Sequence, residues 1–368
     1  MPIVTKTAKT SRSCAVFWRR SVFTVVLSMT GRSHTWHVLL HSLAVLGGFA
    51  LLGWVVYQVG LTDVLNYLHR IGWWAPFLIV PSLAIALCDA KGWACALPAT
   101  IHLPHIPLWR WSLARLAGEA VNNLTPTANI GGEPVKVYML RAHGLTTDVG
   151  LASVVVAKTA LTVSQVVFVL LGVPFFLYRL GWIAQSWWVI GPLLALAYGF
   201  VMLLIHWQRR GLISMAVRAL CRILPRWQRL THWEERAQRI DTHLLSIYDG
   251  DSRRFFASTV YHFGGWLLNA VELALFLYFM GVDAPILDAL IIETMIQPVS
   301  AASLIIPGAV GVQEAGGVYL CRLLGLDDAA GLTLMALRRG REMLFNLVGL
   351  TALAHMSGTL LPRKIHSV

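Results

Sequence analysis

Apolar residues run along this chain in long unbroken stretches. Six of these stretches, 36–57, 74–97, 149–177, 187–207, 255–280 and 329–361, are near or beyond the roughly 20 residues that cross a bilayer as a helix. Two more, about 104–144 and 285–325, are equally apolar but interrupted by Pro and Gly, and predict helices that break inside the membrane. Helices satisfy their own backbone hydrogen bonds in lipid, whereas a membrane barrel needs short alternating segments that this chain lacks. The pattern therefore predicts an all-α polytopic membrane protein. Tryptophans at 36, 73, 74, 187, 188 and 207 fall where an interfacial aromatic belt would place them.

Composition sharpens this reading. Of 368 residues, 57% are hydrophobic and 13% charged, with a mean hydropathy of +0.64. Soluble chains carry about 25% charged residues, so a cytosolic enzyme, a secreted disulfide scaffold and a disordered protein are excluded. The five cysteines form no CxxC pair, which argues against a disulfide framework or zinc site. The net charge of +12 fits contact with anionic lipid rather than nucleic acid.

Basic residues then orient the chain. They crowd into 1–35 and, as ten arginines, into 208–254, with Arg363 and Lys364 at the end; loops 58–73 and 178–186 hold only Arg70 and Arg179. By the positive-inside rule both termini and 208–254 are cytoplasmic. Residues 1–35 read as an uncleaved basic tail, 36–361 as one transmembrane domain in two halves (36–180 and 181–361), and 362–368 as a short tail. Within 208–254 the spacing of Leu212, Ala216, Leu220, Ile223, Trp227 and Leu230 is helical and amphipathic. It suits a helix on the membrane surface or a solvated helical hairpin.

An offset of 181 aligns the halves without gaps. Pro126, Ala128, Glu133, Val137, Tyr138, Arg141, Gly144, Leu145, Gly150 and Leu151 recur as Pro307, Ala309, Glu314, Val318, Tyr319, Arg322, Gly325, Leu326, Gly331 and Leu332. That is ten identities in 26 positions, where about two would arise by chance. Lys158 falls on Arg339, keeping the charge, and Lys91 on Glu272. Each half reads as three spans plus a re-entrant helical hairpin. An odd number of crossings makes the second half upside down, an inverted repeat, whose substrate sites lie between the halves on broken helices. The hairpins are marked by Asn123, Pro126, Asn129, Gly131, Gly132 and Glu133, and by Pro307, Gly308, Gly311, Gln313 and Glu314.

Ionisable residues inside spans are costly and point to function by default. Asp89 and Lys91 are close enough in sequence to pair locally, and Glu272 and Glu293 join them as intramembrane charges. Glu133 and Glu314 either lock the hairpins through a neighbouring Lys or Arg or act in the function itself. Arg338, Arg339 and Arg341 lie in an acid-poor region, where three arginines within four residues cannot all find acid partners. With Lys158, Arg141 and Lys136 they suit a phosphate-bearing lipid headgroup. His34, His37 and His41 share a helical face without a carboxylate or thiol partner, so neither a metal nor a cofactor is expected. No P-loop, HExxH, GxSxG or dinucleotide fingerprint occurs. Asp249-Gly250-Asp251 reads as a turn.

The run TPTANIGGEPVKVYMLRAHGL at 125–145, with IPGAVGVQE at 306–314, resembles the lysylphosphatidylglycerol synthase transmembrane (flippase-like) domain family, most closely its hopanoid-biosynthesis-associated HpnL-type branch. The resemblance covers about 36–360. It implies re-entrant hairpins carried by Gly131, Gly132, Glu133, Lys136, Arg141, Pro307, Gly308, Gly311 and Glu314, and movement of a membrane lipid. Val312-Gln313 departs from the Gly-Gly of the first element. No soluble domain follows the membrane region, so aminoacyl transfer is not expected. The expected partners are an anionic phospholipid or hopanoid, and lipid-biosynthesis enzymes. A membrane-embedded transferase using a lipid-linked donor, and a non-catalytic partner of a lipid-modifying complex, are the rival readings.

Overall fold

In a computed structural model the described residues are 61–98, 106–124, 131–182, 187–223, 231–250, 252–302 and 311–360, with Gly53, Trp54 and Tyr57. All belong to one compact unit, Gly48–Val368. Among them the structure is helical throughout. A short α1 (Leu61–Ile71) leads through a 3-10 turn into α2 (Ile79–Cys95), and α3 (Leu108–Leu124) and α4 (Glu133–Leu140) flank the first break. Then come α5 (Thr147–Arg179), α6 (Trp187–Arg209), α7 (Leu212–Ile223), α8 (Thr231–Gly250) and α9 (Ser252–Phe279). Finally α10 (Ile286–Ala302) and α11 (Val312–Leu323) flank the second break, and α12 (Asp328–Leu360) closes the chain.

Four helical stretches are long and apolar enough to cross a membrane: Pro76–Cys95, Thr147–Arg179, Gly191–Arg209 and Ser252–Phe279. These match four of the six anticipated spans. The first anticipated span lies almost wholly outside the described residues, as do the basic tails and His34, His37 and His41. The sixth forms as α12, 33 residues long, and is not among these four. Large apolar side chains stay exposed over the outer faces of α2, α5 and α6, among them Leu83, Leu171, Leu196 and Phe200. An apolar surface of this extent belongs in lipid.

The offset of 181 reappears in the helices. α5 and α12 are each 33 residues long and begin 181 apart. Gly144 and Gly325, also 181 apart, both end a helix with positive φ (89° and 80°) and turn the chain into the following long helix. The longest helix contact is α2 along α9. Ser82 meets Glu272 while Asp89 meets His262 and Gly265, and Gly92 meets His262. Rising numbers on one helix meet falling numbers on the other, so the two run antiparallel. α12 crosses α3 antiparallel as well, through Asn123–Asn346 and Leu116–Gly349. α5 crosses α10 likewise, through Gln165–Gln297, Gly172–Thr294 and Arg179–Asp288.

Buried side chains form two main clusters. One gathers Trp93, Trp111, Val137, Leu140 and Val156 around α4; the other gathers Leu277, Ile292, Leu320, Leu334 and Met335 around α11. The arginine-rich insert joins the first cluster. α8 packs Ala237, Ile240, Leu244 and Ile247 against α5, while Arg236 and Arg239 hold Asp148 at 3.3 and 3.1 Å. The spacing anticipated at 212–230 is thus only part of the insert. Its described part is helix over Leu212–Ile223, with Ala216 exposed and Trp227 and Leu230 outside the described residues, and the core-facing element is α8. Asp241 of α8 caps α7 by accepting from the Ile213 and Ser214 amides. α8 continues through Asp249-Gly250 where a turn was anticipated, and α9 begins at Ser252.

Candidate functional site

The two breaks present the same device. Glu133 is the first residue of α4, and its buried carboxylate receives Lys158 of α5 at 3.0 Å and Lys136 at 3.1 Å. Asn122 of α3 donates to that carboxylate at 3.2 Å and accepts the Gly132 amide at 2.6 Å. Glu314 stands in the first turn of α11. It accepts the Gly311 amide at 2.7 Å, and Arg339 of α12 at 3.0 and 2.9 Å through two nitrogens. A carboxylate in the first helical turn also meets the positive end of the helix dipole. Equivalent residues therefore make equivalent pairs.

Gly132 permits the first of these. A Cβ there would lie 1.8 Å from the Gly118 carbonyl oxygen, so α3 and the start of α4 touch through backbone. In the second element the small residue changes sides. Val299 replaces Gly118, and Gly316 makes room for it, with a Cβ at 316 falling 2.9 Å from Val299. Gln313, which stands where Gly132 does, donates to Ser300 at 2.8 Å and accepts from Arg339 at 3.2 Å. Gly311 takes the positive φ, 81°, that the chain needs before α11.

The other two arginines of the α12 cluster are partnered too, and two anticipations are corrected. Arg338 meets buried Glu293, and Arg341 meets buried Glu272 and Asn269. Glu342 serves both Arg338 and Arg339. The three arginines thus do find acids, because Glu272, Glu293 and Glu314 converge on α12 from three other elements. Asp89 does not pair with Lys91. Residues two apart on a helix face different ways, and Lys91 is exposed while Asp89 is buried against Arg115 of α3 at 2.9 Å and His262 of α9 at 2.8 Å. Arg115 also holds Glu119 at 2.8 Å.

Of the anticipated headgroup residues, Lys158 and Lys136 share Glu133, while Arg338, Arg339 and Arg341 form the second group. Arg141 is exposed at the far end of α4 and stands apart from both. Asn123 bonds Asn346 across the α3–α12 crossing at 3.1 Å. Gly131 turns the chain into α4, and Pro126, Asn129, Pro307 and Gly308 lie outside the described residues. Between the Glu272 and Glu293 pairs a small cleft, with room for about one water, is lined by Asn269, Phe276, Leu334, Arg338 and Arg341. No group of three or more His, Cys, Asp or Glu suited to a metal occurs among the described residues.

Sequence reasoning missed Arg115 and His262 as partners of Asp89, and Ser82, which donates to Glu272. Arg115 carried a signal, an arginine four residues before Glu119 within an apolar stretch of the chain. Ser82 and His262 carried none, being ordinary helix residues until α2 and α9 are brought together.

Apolar outer faces around a charge-paired interior, with twin carboxylate-headed helices, define a polytopic helical membrane protein. The chain belongs to the family described as the lysylphosphatidylglycerol synthase TM region, whose model matches residues 38–349. That family ties it to the modification of membrane lipids. No curated protein and no solved structure matches it.

Proposed function

We propose that the protein carries the polar headgroup of a membrane lipid across the bilayer, along a seam between two inverted halves, while the hydrocarbon tails remain in lipid. The setting is the bacterial inner membrane with both termini cytoplasmic, and the lipid is an anionic phospholipid or a hopanoid-pathway lipid. Inversion is supported by the antiparallel course of α2 and α9, which hold equivalent places at the 181 offset. The α3–α12 and α5–α10 crossings exchange with each other under the same offset.

The observation that carries the reading is the twinned Glu133–Lys158 and Glu314–Arg339 pair. An unpaired cation in oil is prohibitively costly, so a resting transporter must keep its headgroup cations neutralised. A phosphate then enters by exchange, displacing the glutamate from Lys158 or Arg339. Arg339 already uses two nitrogens on one carboxylate oxygen, and the same planar fork suits phosphate. The Lys158 side chain is 43% exposed, so an incoming headgroup can reach it.

Leaflet-resolved labelling of fluorescent lipid in proteoliposomes tests this. Protein-dependent movement is expected for an anionic or hopanoid lipid. Lys158→Gln and Arg339→Gln should each slow it by tenfold or more, and absence of movement for every lipid tried would remove the reading. The pairing of Lys158, Arg338, Arg339 and Arg341 with buried acids also favours a static role as partner of a lipid-modifying complex. There Arg339→Lys, which keeps the charge, would leave the function of that complex intact, whereas transport through the bidentate site would be impaired.

A further inference from the structure

Few buried polar groups are left over by the pairing described above, and two of them stand together. Ser258 and His262 are one turn apart on α9, 0% and 3% exposed, and neither Ser258 Oγ nor His262 Nε2 has a hydrogen-bond partner among the described residues. The other ring nitrogen, Nδ1, lies 2.8 Å from Asp89 Oδ1. A carboxylate only accepts, so Nδ1 carries the hydrogen and Nε2 of the neutral ring presents a lone pair. The face of the ring packs on α2 at Gly92, where a Cβ would come within 2.8 to 3.0 Å of Nε2, Cε1 and Cδ2. Gly265 likewise lets α9 close on Asp89, a Cβ there falling 3.0 Å from Oδ1.

The charges around the ring are specific. Asp89 comes from α2, Arg115 and Glu119 from α3, and Lys136 and Glu133 act on this group from α4. α5 meets this part of α9 through uncharged Ser164, bonded to Trp266, and α8 through Tyr248 beside Phe255. The charges from α10 and α12 gather further along, about Glu272. Lys136 is committed to Glu133 with Lys158. Asp89 sets a negative charge directly against the ring through Oδ1, while its Oδ2 is held by Arg115.

We propose that His262 is a buried, reversible proton-binding site. The proton, supplied by water, adds to the Nε2 lone pair and converts imidazole to imidazolium; Nδ1–H stays on Asp89, and no bond between heavy atoms changes. Ser258 Oγ, one turn earlier on the same face, accepts from the new Nε2–H. The site sits on the α2–α9 crossing, so its charge state acts where the two equivalent helices meet. It rests on the transport reading only for its use, as a way for a proton gradient to drive the seam.

Proton uptake by the full-length protein in phosphatidylcholine nanodiscs tests the site without any transport assay. Titrated over about pH 5–8, wild type should bind one more proton per chain than His262→Gln. Equal uptake would overturn the proposal. Ser258→Ala keeps the Asp89 pair and guards against a His262 variant that fails to fold; it should bind the proton roughly tenfold more weakly, and a titration curve identical to wild type would count against the site. Lipid movement that fails while the extra proton is present removes the transport reading alone.

Discussion

Three arginines in four residues of α12 reach three different carboxylates, none of them near in sequence. Each acid was recognisable in the sequence as a charge inside an apolar stretch. Their partners were not, because pairing across helices depends on which faces meet, and sequence distance says nothing about that. Lys91 illustrates the point: nearest to Asp89 along the chain, it turns out to lipid or solvent while Arg115 and His262 arrive from other helices. Removing one member of a buried pair costs about 3–5 kcal/mol, much of it from the charge left behind. Glu314→Gln and Arg339→Gln should each lower the unfolding temperature in detergent, and the double variant should lose clearly less than the sum. Additive losses would show that the pair is not coupled. Gly132→Ala should be more damaging than Gly264→Ala, since a Cβ at 132 meets the Gly118 carbonyl while one at 264 meets nothing within 4 Å; expression and monodispersity read this directly.

At the scale of elements, hydrophobic run length located the long helices to within a few residues, because an apolar run of that length has few other ways to fold in lipid. The insert was less legible. Its clearest amphipathic run, at 212–230, advertised the surface, while α8, charged along much of its length, buries only a narrow stripe against α5. Two polar clasps hold this hairpin. Asp241 caps α7, and Tyr248 donates to buried Gln208 of α6, which in turn donates to Thr159 of α5 at 2.7 Å. Burial pushes the Tyr248 phenol up to about 12 from its ordinary 10. The unfolded chain releases this proton first, so stability from this group is intact below about pH 10 and declines toward about 12. Tyr248→Phe should cost about 1 kcal/mol near neutrality and flatten that part of the alkaline unfolding curve, measured by Trp fluorescence. An unchanged slope would place the alkaline lability elsewhere.

For the whole molecule, the 181 offset was the most informative feature of the sequence, since it pairs helices of one half with helices of the other by residue number alone. It could not show how they meet. The α5–α10 and α12–α3 crossings are counterparts, yet one is fitted by Gly172 against Thr294 and the other by Gly349 against the Leu116 carbonyl. Inversion makes a sharp prediction for the loops that follow α4 and α11. In a cysteine-free background, single cysteines at Thr146 and Asp327 should react with a membrane-impermeant maleimide from opposite faces of the bilayer; labelling from one face would rule inversion out.

The antiparallel meeting of α2 with α9 also bears on how such a chain arose. Were the halves inverted as proposed, a gene for one half alone would encode a peptide obliged to insert both ways up and dimerise with its own flipped copy. The ten arginines at 208–254 face only Arg32 and Arg70 in the corresponding stretch of the first half. After gene fusion they would have broken that tie, committing every copy to a single orientation.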